Sequence, residues 1–292
     1  MSGDLNLKKT TMRVQAAAVN DYNRIKVLPL TGSIGAEVLG IDLRDFDDEI
    51  IAEVHDAWMA HKVLFFREQE LTKAQHIDYG KAFGQLEVHP FSPQDSDYPE
   101  ILVLQSTPEK FQAAEQWHSD VTFRECPPTG SILAGRHLPP WGGDTCWANM
   151  EMAYERLSDK IKSEIEGQFA IHSYMKAFGS SISDDKKDEA YEKYPDQKHP
   201  VVRTHPVTGA KGIFINKVFT LTIDGMTAAE SRPLRHQLYE QVNVPEFQCR
   251  FRWAPGSIAQ WDNRITQHYA VPDHGGYHRR MERVTLVGGK PE

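Results

Sequence analysis

The sequence predicts a mostly β fold with flanking helices, built as one double-sheet jelly roll with the helices packed outside. Three observations carry this. Short apolar runs such as Val63-Leu64-Phe65-Phe66, Ile101-Leu102-Val103-Leu104 and Ser131-Ile132-Leu133-Ala134 recur along the chain, as buried strands do. Few stretches carry a helical period, and two of them open on capping boxes, Thr72-x-x-Gln75 and Thr227-x-x-Glu230. No repeat or low-complexity linker divides the 292 residues, a length that one large β domain reaches alone.

Residues 1–24 are polar and lack sustained periodicity, which predicts a loosely ordered arm; residues 25–292 are then a single domain. From Ile25 to Leu43, short apolar runs broken by Pro29, Gly32, Gly35 and Gly40 predict strands joined by tight turns. Over 47–61 the spacing of Ile51, Val54 and Trp58 on one face predicts a helix. The first capping box opens a helix over about 72–83, which Gly84 ends. Thr145-Cys146-Trp147 is a strand after the Pro139-Pro140 and Gly142-Gly143 turn. Residues 148–167 are helical in two pieces meeting at Ser158, and 169–174 form a strand. Residues 179–199, rich in Ser, Asp and Lys, are expected to be a long surface loop, either a passive insertion or a mobile lid over a site. Val201-Val202 and Ile213-Phe214-Ile215 are strands around a turn at His205-Pro206 and Gly209. The second capping box opens a helix with Leu234 and Leu238 on one face. Strands over 247–253, 257–261 and 284–287 complete the set.

Composition is that of an ordinary globular chain, 40% hydrophobic and 25% charged. A net charge of −8 argues against broad binding to nucleic acid or anionic membranes, so an anionic ligand must be met by local Arg and His. Three cysteines, Cys126, Cys146 and Cys249, form no C-x-x-C motif and no evident disulfide framework, which fits a reducing, cytoplasmic setting. No run of about 18 apolar residues predicts a membrane helix, and the stretch around Lys8 and Lys9 has no apolar signal core.

The chemistry centres on Trp117-His118-Ser119-Asp120. On a strand, His118 and Asp120 at i and i+2 leave the same face. With His268, which falls between expected strands far downstream, they make two imidazoles and one carboxylate, the facial triad of a non-heme Fe(II) oxygenase. The H-x-D motif alone is weak, because 13 His and 41 acidic residues produce it by chance, and a structural ion pair or a core histidine would account for it equally. The order of the pieces strengthens it. Arg279 and Arg283 follow His268, and a guanidinium forks onto a carboxylate, as a dicarboxylate co-substrate such as 2-oxoglutarate requires. Their even offset on a strand puts both on one face, with Arg280 pointing away.

Four ordered blocks, Trp117-His118-Ser119-Asp120-Val121-Thr122-Phe123, Gly142-Gly143-Asp144-Thr145, Trp261-Asp262-Asn263-Arg264 through His268-Tyr269, and Arg279-Arg280-Met281-Glu282-Arg283-Val284-Thr285, resemble the taurine dioxygenase family. These are Fe(II)/2-oxoglutarate-dependent dioxygenases that include alkylsulfatases and aryloxyalkanoate dioxygenases. The likeness runs from about Val27 to Pro291. It implies a double-stranded β-helix, with Fe(II), 2-oxoglutarate and O2 as cofactor and co-substrates and a homodimer or homotetramer as the assembly. His118, Asp120 and His268 match the iron ligands. Arg279 and Thr145 match the residues on the distal carboxylate of 2-oxoglutarate, and Arg283 one that touches the substrate anion or the co-substrate. His89 matches the sulfonate-binding histidine, and Val121, Phe123, Phe178 and Phe219 the apolar lining of the substrate cavity.

Two departures bear on substrate. Ser92 stands where taurine dioxygenases carry a Tyr, and Ala114 where they carry an Asn. Smaller side chains enlarge a pocket and remove hydrogen bonds, so the expected substrate is a small organic anion other than taurine. An alkyl or aryl sulfonate or sulfate ester, hydroxylated beside its anionic group, would collapse to an aldehyde plus sulfite or sulfate, with succinate and CO2 from the co-substrate. A carboxylate substrate, an aryloxyalkanoate or a biosynthetic intermediate, is the alternative. A zinc hydrolase built on the same triad and a non-catalytic jelly-roll binding module are the rivals from other classes.

Overall fold

The structure, a computed structural model, describes residues 22–88, 97–109 and 115–292. Its strands are β1 (Lys26–Pro29), β2 (Ala36–Leu39), β3 (Val63–Phe66), β4 (Leu102–Ser106), β5 (Gly130–His137), β6 (Thr145–Asn149), β7 (Phe169–His172), β8 (Gln197–Pro200), β9 (Val202–Thr204), β10 (Lys211–Ile213), β11 (Thr220–Ile223), β12 (Gln248–Phe251), β13 (Ile258–Asp262), β14 (Thr266–Ala270) and β15 (Arg279–Leu286). The helices are α1 (Asp48–His61), α2 (Lys73–Lys81), α3 (Met150–Glu155), α4 (Asp159–Ile165), α5 (Tyr174–Phe178), α6 (Lys187–Lys193) and α7 (Ala228–Tyr239).

A seven-stranded sheet runs β1-β2-β3-β13-β5-β15-β4, and a three-stranded sheet runs β12-β6-β14. The apolar tetrapeptide of β3 shows how they stack. Val63 and Phe65 point into a core shared with Trp147 of β6, Phe251 of β12 and Met281 of β15, which fills the space between the two sheets. Leu64 and Phe66 point the other way, into a core with Val54 and Trp58 of α1 and Ile77 and Tyr79 of α2. A strand buried on both faces reads as an unbroken apolar run rather than an alternation. Phe65 is stacked on Phe251 with ring centroids 4.1 Å apart and meets Trp147 edge-on at 5.3 Å, and this aromatic layer ties the sheets together. A third core lies under α3, α4 and α7. Among the described residues no helix is long and apolar enough to cross a membrane.

Local signals set the helix ends. Asp47 caps α1 by accepting from the Ile50 amide, Thr72 and Thr227 form full capping boxes with Gln75 and Glu230, and Ser158 caps α4 where the two helical pieces meet. Each such cap is worth about 1 kcal/mol.

The structure corrects several expectations. Residues 179–199 are not a long loop: they hold short 3-10 turns, α6 and the start of β8. Strand β7 stops at His172, because Ser173 caps α5 through its hydroxyl. Strands β11 and β14 were not expected, being short and interrupted by polar residues, so His268 lies within a strand rather than between strands. The last strand begins at Arg279, well before the apolar segment at its end. Residues 23 and 24, placed in the arm by composition, are tied to α1 through their amides on Glu53 and Arg24 on Asp47, and Tyr22 packs against the core; residues 1–21 lie outside the described residues.

Two buried histidines make stability pH-dependent. Burial pushes His76 and His199 down to about 4, so both are neutral in the folded chain at neutral pH, while in the unfolded chain they take up protons near pH 6.5. Their contribution is therefore complete above pH 6.5 and is lost as pH falls toward 4. Chemical denaturation is expected to give a free energy of unfolding lower at pH 5 than at pH 7.5 by up to about 2 kcal/mol for each histidine. A flat profile over that window would contradict the assignment.

Candidate metal and co-substrate site

Strand β14 pairs antiparallel with β6, setting His268 opposite Trp147. On its other side His268 forms an isolated bridge with His118: the His118 amide donates to the His268 carbonyl at 3.1 Å and the His268 amide to the His118 carbonyl at 2.8 Å. Directly opposed residues project to the same side, and the two imidazoles lie with centroids 4.2 Å apart. Asp120 joins them by a different route from the one its spacing suggested. It lies not on a strand with His118 but at the start of a turn, and the next residue, Val121, has φ 41°. A β-branched residue in that region is strained by roughly 1–3 kcal/mol.

Hydrogen bonds hold the turn against that strain. The Asp120 amide donates to Asn263 Oδ1 at 2.7 Å, Asn263 Nδ2 donates to the Asp120 and Pro128 carbonyls at 3.2 Å each, and Ser119 Oγ donates to the Thr266 carbonyl at 2.8 Å. The side-chain donors of His118, Asp120 and His268 consequently lie within 4.8 Å of one another, all three residues buried. His118 Nε2 is 3.9 Å and His268 Nε2 3.8 Å from Asp120 Oδ1. Donors each about 2.1 Å from one ion can lie up to about 4.2 Å apart, so both histidine–aspartate spacings suit a divalent metal.

The protonation states fit as well. His118 Nδ1 lies 2.7 Å from the Gln116 carbonyl; a carbonyl accepts only, so the proton sits on Nδ1 and the Nε2 lone pair faces inward. Burial lowers the pKa of His118 and takes His268 down to about 3, keeping both rings neutral. Burial alone would raise Asp120, but the Arg283 guanidinium holds its carboxyl well below the usual range. Two neutral imidazoles and one carboxylate suit Fe, Zn or a similar ion.

Arg283 is where the expectation and the geometry differ most. Its Nη1 lies 2.9 Å from both oxygens of Asp120, so its partner here is a member of the triad, while its buried Nε has no hydrogen-bond partner among the described residues. Arg279 shares its face. Met281, between them, points into the core between the sheets, whereas Arg280 bonds Glu282 at 3.0 Å on the opposite face, as the even offset predicts. Arg279 is desolvated enough to bring its pKa down to about 10, with Asp144 opposing the shift, and its buried Nε is also unpaired among the described residues.

Beside Arg279 runs the Gly142-Gly143-Asp144-Thr145 segment. Gly143 has φ 69°, and a Cβ there would sit 3.2 Å from Arg279 Cδ and Nε, so glycine provides both the turn and the room for the guanidinium. Thr145 Oγ1 accepts from Trp253 Nε1 at 3.0 Å, leaving its own proton available to a carboxylate. A desolvated arginine with a free N–H, packed on the segment that carries a buried hydroxyl donor, suits an anion.

The apolar wall is an aromatic cluster. Val121, Phe123 and Phe219 pack with Tyr174, Tyr194 and Val218. Phe219 approaches His118 edge-on at 6.5 Å, which puts the wall against the triad. Phe178 lies 6.1 Å from both Phe123 and Phe219 but is half exposed, at the rim. Tyr194, from the segment expected to be a loop, is packed at 6.0 Å from Phe123, so that segment is part of the wall. His89, Ser92 and Ala114 lie outside the described residues. Sequence reasoning missed Trp253 as partner of Thr145 and Asn263 as the clamp on Asp120; Asn263 stood in a recognised block, but a side chain's backbone contacts have no sequence pattern.

Comparison with known proteins agrees with this geometry. The model of the taurine catabolism dioxygenase TauD, TfdA family matches residues 26–285. The chain is 38% identical over 279 residues to an alkylsulfatase of Acinetobacter baylyi, covering 92% of this chain and 87% of that one. It is 37% identical over 276 residues to an alpha-ketoglutarate-dependent sulfate ester dioxygenase of Pseudomonas putida, covering 91% of each. The crystal structure of a taurine dioxygenase from Burkholderia xenovorans superposes with a TM-score of 0.81 at 36% identity, covering 92% of this chain and 91% of that one.

Proposed function

We propose, starting from the fact that this chain belongs to the taurine catabolism dioxygenase TauD, TfdA family and is a 2-oxoglutarate-dependent dioxygenase, that it hydroxylates the carbon next to the anionic group of an alkyl sulfate ester or alkanesulfonate, with Fe(II) as its metal. The observation that carries the substrate class is that two features border the triad: a buried guanidinium with a free N–H, Arg283, bonded to Asp120, and the aromatic wall of Phe123 and Phe219, which reaches His118. That pairing suits an anionic head on an apolar body. The relatives named for alkyl sulfates and sulfate esters support it.

When bound, the ion and 2-oxoglutarate supply the O2-dependent oxidation; one oxygen atom leaves in succinate and the other in the hydroxylated product. The chain's residues do the rest. His118 and His268 present Nε2 lone pairs and Asp120 a charge. Arg279 and the Thr145 hydroxyl grip the far carboxylate of 2-oxoglutarate and fix its position. Arg283, held on one side by Asp120, offers its remaining N–H groups to the sulfate head. The wall excludes water and aims the adjacent carbon at the site. The hydroxylated carbon then loses its hydroxyl proton, and its bond to the sulfate oxygen, or to the sulfonate sulfur, breaks. The products are an aldehyde and sulfate or sulfite.

A panel of hexyl sulfate, hexanesulfonate, taurine and phenoxyacetate, assayed for succinate, sulfate, sulfite and phenol, tests this. Sulfate or sulfite release from the hexyl compounds at least tenfold above taurine turnover is expected, since the loss of polar contacts removes what would favour a small ammonium-bearing molecule, about 10-fold per contact. Faster phenol release from phenoxyacetate would overturn the sulfur-anion reading. Turnover without O2 would overturn the dioxygenase.

Thr145→Val keeps the shape and removes the hydroxyl. The KM for 2-oxoglutarate is expected to rise about tenfold, one charge-assisted hydrogen bond, with kcat little changed. Trp253→Phe, which removes the donor to Thr145 together with part of a buried ring, should lower the melting temperature and leave that KM within about twofold.

A further inference from the structure

Residues 216–220 lie in the connection from β10 to the start of β11 and carry Phe219 to the site. One buried side chain sets their shape. Asn216 Oδ1 accepts from the Val218 and Phe219 amides at 3.1 and 2.9 Å, and the Asn216 amide donates to Thr220 Oγ1 at 2.9 Å. The other end of the same carboxamide reaches a different wall: Nδ2 donates to Thr122 Oγ1 at 3.1 Å. Thr122 is fully buried between Val121 and Phe123, just beyond Asp120, and its hydroxyl also meets His172 Nδ1 at 2.8 Å. From outside, Lys176 of α5 donates to the carbonyls of Lys217 and Thr220, so the 216–220 turn is braced on two sides.

We propose that Asn216 is a positioning residue: through Thr122 it locks the aromatic wall in register with the strained turn that carries Asp120, and so determines where the substrate's reactive carbon lies relative to the metal. The proposal rests on the dioxygenase reading above. Its physical basis is the carboxamide's double character. Two backbone amides need an acceptor and Thr122 needs a donor, and Asn supplies both from one buried group. Val121 is held at φ 41°, a conformation that relaxes when surrounding contacts are lost. Displacement of the target carbon by about 1 Å can cost on the order of a hundredfold in productive reaction, while consumption of 2-oxoglutarate, held elsewhere by Arg279, need not slow equally.

The test uses Thr122→Val, near-isosteric and without the hydroxyl; Thr122→Ser as the conservative rescue; and Ile165→Val in the core under α4 as a stability control. Hydrogen exchange on the protein without metal or substrate is read first. Thr122→Val should quicken exchange at the Val218 and Phe219 amides roughly tenfold, although their own acceptor, Asn216, is untouched, and Thr122→Ser should restore protection. The ratio of succinate formed to sulfate released from hexyl sulfate should rise from one to about three or more in Thr122→Val and stay at one in Ile165→Val. Asn216→Leu should exceed both effects if it folds. Wild-type exchange at Val218 and Phe219 in Thr122→Val, or an unchanged ratio, overturns the proposal. A wild-type protein that releases no sulfate contradicts the substrate assignment instead, and the exchange result still decides the role of Asn216.

Discussion

His118→Ala is expected to abolish turnover, by more than roughly a hundredfold, while leaving the fold intact. Perturbing even an outer contact of a metal site costs about 10–100-fold, and this substitution removes one of three donors. The backbone bridge between His118 and His268 does not depend on the imidazole, so circular dichroism and the melting temperature should change little. Equilibrium dialysis should give one bound divalent ion per wild-type chain and far weaker binding in the variant. Asp120→Ala should differ in a revealing way. It removes the carboxylate on which Arg283 is held at 2.9 Å and leaves a buried guanidinium without its counter-charge, so it should lose several kcal/mol of stability, about 3–5, as well as the metal. Equal melting temperatures for the two variants would mean that the Arg283 contact carries little energy.

Arg279→Ala should raise the KM for 2-oxoglutarate by roughly a hundredfold, the loss of two charge-assisted hydrogen bonds at about 1.5 kcal/mol each. Arg279→Lys should recover only part of this, because an ammonium keeps the charge without the fork. The same site predicts an opposite effect on stability. Desolvation brings Arg279 down to about 10 and its Nε has no partner among the described residues. Arg279→Met should therefore melt at or above the wild-type temperature without co-substrate, and lose the rise that 2-oxoglutarate gives the wild-type protein. A thermal-shift series with and without 2-oxoglutarate checks both signs; a destabilised Arg279→Met protein would mean that its guanidinium has a structural task.

What the sequence disclosed follows physical rules. The β3 run was legible because a strand between two cores must be apolar throughout, and α2 and α7 were legible because a capping box is local chemistry. The triad residues were legible as types in order, but the route that assembles them was not. His118 meets His268 by a bridge between distant segments, and Asp120 is turned inward by strain at Val121 and the Asn263 clamp, all of which depend on tertiary contacts. The 179–199 segment reads as a loop because its Ser, Asp and Lys are mostly solvent-facing, while residues that tie it to the site, such as Tyr194 and His199, have no periodic partner in sequence. Arg283 was expected to face an anion, and its bond to Asp120 arises only once β15 and the turn are brought together.

The central claim is that His118, Asp120 and His268 hold one metal ion beside an Arg279 site for 2-oxoglutarate, so that the two ligands bind as one unit. Anaerobic titration of the metal-free protein with 2-oxoglutarate, with and without Fe(II), tests it most directly. The account predicts that 2-oxoglutarate binding tightens at least tenfold when Fe(II) is present, about 1.4 kcal/mol of coupling, that a visible absorption band appears at one equivalent of each, and that hexyl sulfate shifts the band. Equal affinity for 2-oxoglutarate with and without Fe(II), and no absorption change, would contradict it.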